Sequence, residues 1–129
     1  MGLEDIPEMH IVDDFDTDFL ADVISGKRRF SGKFVVVLGP NSKPYFFALD
    51  RSFSHEQVAK RFSERAEKKY GVNPQGFRPL NGGALKIDQT DIYVYEGSIQ
   101  FGKYDEAVVR PIVERFRQQH LPGHRTDFE

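Results

Sequence analysis

The 129-residue sequence predicts a single domain in which one β-sheet carries packed helices. Three observations predict it. Hydrophobic residues make up 39% of the chain and aromatics 13%, enough to build a core. Short apolar runs rich in valine and aromatic residues have the length of strands. Two longer stretches have helical periodicity, and the order reads strands, helix, strands, helix.

The elements follow in chain order. Residues 1–14 read as extended or disordered. Phe15, Phe19, Leu20, Val23 and Ile24 recur at helical spacing, which predicts a short helix over 16–25 ending at Gly26. Lys27-Arg28-Arg29 forms a basic clip. Phe34-Val35-Val36-Val37-Leu38 is a continuous apolar run, as in a strand buried on both faces. Gly39-Pro40-Asn41-Ser42 makes a turn into a second strand over 45–49. A long helix is predicted over 55–70, with Val58, Phe62, Ala66 and Tyr70 on one face and Gly71 as its stop. Residues 77–80 predict a short strand, broken at Asn81-Gly82-Gly83. Residues 84–87 and 92–95 read as a hairpin around Asp88-Gln89-Thr90-Asp91. The last helix carries Tyr104, Val108, Ile112 and Phe116, and Pro111 must bend it or lie in its first turn. From Leu121 onward the chain reads as loose. The expected division is an acidic leader at 1–26, partly disordered or a short helix, a domain at 27–120 and a tail at 121–129.

Composition narrows the chemistry. There is no cysteine, which excludes disulfides, cysteine metal sites and a thiol nucleophile. This suits a reducing compartment, and a cytoplasmic protein is expected. No apolar run approaches the roughly 20 residues of a membrane span. The N-terminus lacks the pattern of a signal peptide or a myristoylation site. Net charge is −2 but uneven: residues 1–26 hold eight acids and no Lys or Arg, leaving the rest at +6. A body of that charge suits anions. Neither a nucleic-acid motif nor a membrane segment is evident, and a monomer is expected. His10, His120 and His124 read as tail residues.

One histidine stands apart. Ser54 followed by Gln57 has the form of a capping box, which puts His55 in the first helical turn. Free N–H groups and the positive dipole end attract anions there and disfavour imidazolium. A neutral base beside an anion cradle suits phosphate chemistry. Two further segments could converge on the same anion: Asn81-Gly82-Gly83, and Gly97-Ser98-Ile99-Gln100 with its amides and hydroxyl.

Leu80-Asn81-Gly82-Gly83-Ala84-Leu85, followed by Ile92-Tyr93-Val94-Tyr95-Glu96-Gly97-Ser98-Ile99-Gln100-Phe101-Gly102, resembles the janus/ocnus family, which includes the protein histidine phosphatases. Lys33-Phe34 at a strand start and His55 at a helix start fit the same pattern, over about residues 30–118. The resemblance implies an α+β fold with a mixed sheet flanked by two main helices. It implies a metal-independent phosphatase acting on phosphohistidine in proteins or peptides, with no cofactor. His55 matches the family's catalytic histidine, as general base or transient phosphoryl acceptor. Lys33, Glu56, Ser98 and Gln100 match its phosphate-binding positions, with Arg78, Gly82 and Gly83 as further candidates and no metal ligand. The sequence also departs from the family. Ala84 stands where the family has arginine, Asn81 replaces a glycine, Glu96 stands at another glycine position, and the link from Tyr70 to Leu80 is longer. The alternative reading is a non-catalytic phosphate- or phosphoprotein-binding module of the same fold.

Overall fold

The computed structural model describes residues 2–13, 15, 17 and 20–129. Six strands form one mixed sheet: β1 (Met9–Val12), β2 (Phe30–Leu38), β3 (Pro44–Asp50), β4 (Arg78–Ile87), β5 (Asp91–Tyr95) and β6 (Arg125–Phe128). Their spatial order is β1-β3-β2-β4-β5-β6. The two edge strands run parallel to their neighbours, and the four inner strands are antiparallel. The helices are α1 (Leu20–Ile24), α2 (His55–Lys68) and α3 (Glu106–His120). The fold is α+β.

Strand alternation sends side chains to two cores. Phe34, Val36, Leu85, Ile87, Ile92 and Val94 face α3 and meet its Val109, Ile112, Val113 and Phe116. Val35, Val37, Tyr45, Phe47 and Leu49 face α2 and meet Val58, Phe62 and Ala66. Thus β2 and β3 are covered on both sides, which is why the 34–38 run is apolar throughout. Ser54 caps α2 by accepting from the Gln57 N–H at 3.1 Å. The reciprocal half of the box is displaced by one residue: Gln57 Oε1 accepts from Phe53 N–H at 3.1 Å. Gly71, at φ 66°, supplies the left-handed turn that follows α2. Asp105 caps α3, and Pro111 lies inside the helix, beyond its first turn. Tyr104 precedes the helix; its hydroxyl donates to Glu129 O at 2.6 Å and lies 3.1 Å from Val94 O.

Both chain ends depart from the expectation. Met9–Val12, placed in an extended or disordered lead-in, forms β1 because β3 offers it an edge. His10 is consequently buried, 3.0 Å from Arg65 of α2, and is not a tail residue. Residues 125–128, expected to be loose, form β6 along β5. His124 there donates its Nε2–H to Asp88 O at 2.8 Å. The predicted break at Asn81-Gly82-Gly83 is absent: β4 is one strand through both glycines. The helix predicted over 16–25 is seen as Leu20–Ile24, while Phe19 and its neighbours at 16 and 18 lie outside the described residues.

Candidate functional site

Three elements meet beside the first turn of α2: the start of β2, the middle of β4 and the loop after β5. His55 sits at their junction, only 5% exposed. Its Nε2 lies 2.9 Å from Gly83 O. A carbonyl can only accept, so Nε2 carries the proton and Nδ1 carries the lone pair. The ring needs the space that Gly82 provides. A Cβ on Gly82 would lie 2.8 Å from His55 Cδ2 and 2.4 Å from Phe34 O. Burial lowers the His55 pKa below the usual histidine value. The Lys33 charge lowers it further, while the Gly83 carbonyl bond and the Glu96 carboxylate oppose the shift.

A cleft of about 350 Å³ opens at this point, lined by Lys33, Ser54, His55, Glu96, Gly97 and Gln100 and flanked by the exposed apolar side chains of Phe53 and Ile99. The imidazole is therefore buried in its protein contacts yet borders an open recess. Lys33 is positioned through its backbone, whose N–H donates to Ser52 Oγ at 2.7 Å and ties β2 to the loop before α2. Among the described residues its ammonium has no ion-pair partner.

The remaining predicted residues have different roles. Gln100 reaches α2 with its side chain: Oε1 accepts from Glu56 N–H at 2.9 Å, and Nε2 donates to Glu56 Oε2 at 2.9 Å. The amide expected to hold an anion is thus held by a neutral carbonyl oxygen, which occupies the helix start as a ligand oxygen would. The Gln100 backbone amide makes no hydrogen bond among the described residues. Ser98 is buried, and its Oγ accepts from Phe101 N–H at 2.9 Å. Its own N–H, expected to donate to phosphate, donates to Gly102 O at 3.2 Å. Ser98 therefore shapes the loop and does not line the cleft. Gly82 and Gly83 contribute space and a carbonyl, because Gly82 N–H is spent on Gly102 O at 3.1 Å.

Arg78, a further candidate, lies apart from the cleft. It pairs with Leu38 at the far end of β4, whereas Gly83 pairs with Phe34. The five residue steps from Arg78 to Gly83 span about 17 Å of strand, so Arg78 does not take the place of an arginine at the cleft. Ala84 fills that place opposite Lys33.

Sequence reasoning missed Glu96 as part of the site. It lies in the left-handed region at φ 59° and places a carboxylate close enough to act on His55. Its position at a glycine of the resembled pattern was the available signal. Among the described residues no group of three or more His, Asp or Glu is placed to hold a metal. No helix among them is long and apolar enough to cross a membrane. The chain matches no known family profile and no curated protein.

Proposed function

We propose that the chain is a metal-independent phosphatase of the janus/ocnus type, acting in the cytoplasm on phosphohistidine in proteins. The observation that carries this reading is the state of His55. A neutral imidazole, fixed by its Nε2–H on Gly83 O, keeps Nδ1 as its basic nitrogen, and His55 lines a recess together with Lys33. In the proposed reaction the phosphoryl oxygens rest against the Lys33 ammonium and the Gln100 N–H, where developing charge is stabilised. Glu56 N–H joins them once the Gln100 side chain moves aside.

Two routes draw on the same lone pair. In one, Nδ1 takes a proton from water as the water oxygen bonds to phosphorus and the phosphorus–nitrogen bond breaks. In the other, Nδ1 itself bonds to phosphorus, the substrate imidazole leaves, and water then releases phosphate from His55. In both, the leaving imidazole takes up a proton and the products are histidine and inorganic phosphate.

The binding-module reading has its own support: Glu96 places negative charge in the cleft, Ala84 supplies no guanidinium, and Gln100 occupies the helix amide. The two readings separate by phosphate release from a phosphohistidine peptide in excess chelator. Catalysis predicts turnover by the native chain and a loss of about 100-fold or more in His55→Ala. Binding of the peptide without turnover favours the module, and equal release by both chains rejects His55 as the catalytic group.

A further inference from the structure

The helix α2 packs against β2 and β3 and reaches only the near side of β4. Among the described residues, no helix packs extensively over β5 and β6 on that face of the sheet. The register places Lys33, Ala84 and Tyr95 in one row across it, and Ser31, Lys86, Tyr93 and Asp127 in the next. The alternation that buries Leu85, Ile92 and Val94 against α3 directs these residues to the open side.

Depressions follow one another across this open face from the His55 cleft. The cleft shares Lys33, Phe53 and Glu96 with a second depression of about 440 Å³, floored by Gly32 and Ala84. That depression shares Tyr95 with a third, of about 350 Å³, which ends at Asp127 and Glu129. The small Ala84 side chain leaves room for the second of these. A single phosphorylated imidazole needs only the first hollow. From β2 to β6 there are three interstrand gaps, about 14 Å, or roughly four residues of extended chain.

We propose that this channel holds the polypeptide that carries the phosphohistidine, in extended form, with a basic side chain seated at its far end. The inference rests on the phosphoryl-binding reading of His55. The balance of charge shifts along the channel: Lys33 and Arg51 outnumber Glu96 in the first two hollows, and Asp127 and Glu129 outnumber Lys86 in the third. The first pair suits a phosphoryl group. The second, beside the rings of Tyr93 and Tyr95, suits an arginine or lysine, which gains both ionic and cation–π contact. The distance puts that basic residue three to four positions from the phosphohistidine.

The test reads binding, so that it does not depend on turnover. Three probes carrying a hydrolysis-resistant triazole phosphonate in place of phosphohistidine are compared by fluorescence anisotropy. They are the capped single residue, a nine-residue peptide with lysine at three and four positions to either side, and the same peptide with glutamate there. The lysine peptide is expected to bind at least about tenfold more tightly than the single residue, and the glutamate peptide no more tightly. Asp127→Lys is expected to reverse the order of the two peptides and leave the single residue unchanged; Asp127 is exposed, so the variant is expected to fold. Equal affinity for all three probes overturns the channel while leaving the phosphoryl site intact. Failure of every probe to bind overturns both. A chain dimer that dissociates on Asp127→Lys also overturns it, because the face would then be covered by a second copy.

Discussion

At the scale of single residues, the site depends on two charges of opposite sign acting on His55. Burial holds its pKa below the ordinary histidine value, and Lys33 adds to that effect while Glu96 counters it. A reaction that needs neutral His55 loses rate as pH falls through this lowered pKa, so its acid limb lies below the usual histidine range. Glu96→Gln removes the carboxylate that helps to raise the pKa, and the acid limb of kcat/KM is expected to move to lower pH. Lys33→Met is expected to move it to higher pH and to weaken phosphate binding. Profiles of kcat/KM against pH for the two variants check both signs. His55 itself was legible because Ser54 and Gln57 mark a helix start. Its tautomer was not, because Gly83 lies 28 residues away and only the fold brings its carbonyl to Nε2.

At the scale of elements, the helix start and the loop after β5 are already clamped together without a ligand. Gln100 makes two hydrogen bonds to Glu56, and an anion using the Glu56 amide must displace one of them. Gln100→Ala is expected to tighten phosphate binding severalfold and to cost about 1 kcal/mol of stability, since exposed hydrogen bonds contribute about that much. Titration calorimetry with phosphate and urea unfolding would read the two effects. The apolar runs at 34–38 and 45–49 and the 55–70 periodicity announced β2, β3 and α2, because buried elements write their environment into composition. The glycines of β4 misled for a physical reason. Gly82 and Gly83 look like a break, yet each is required by close approach: a Cβ on Gly83 would lie 2.8 Å from Tyr95 O and 2.9 Å from Phe34 Cε1. The strand continues through them because its neighbours leave no room for a side chain.

At the scale of the whole molecule, both sheet edges are made by segments that looked unstructured. The strands β1 and β6 are each four residues long, and their pairing comes from distant chain, which local sequence does not encode. Glu8 pairs with Arg115 of α3, Thr126 hydrogen-bonds Glu114, and Tyr104 donates to Glu129 O, so both ends are tied to the α3 side. Removing residues 124–129 is expected to lower the melting temperature by at least about 5 °C, read by calorimetry, because these ties and the β6 ladder are lost together. The same fold delivers His55 to the cleft with one nitrogen committed and the other open, and the functional account depends on that. The direct measurement is 15N NMR of the His55 imidazole at neutral pH, with and without inorganic phosphate. A neutral ring protonated at Nε2 is expected, with the Nδ1 resonance moving as phosphate is added. An imidazolium, a proton on Nδ1, or an Nδ1 resonance indifferent to phosphate would contradict it.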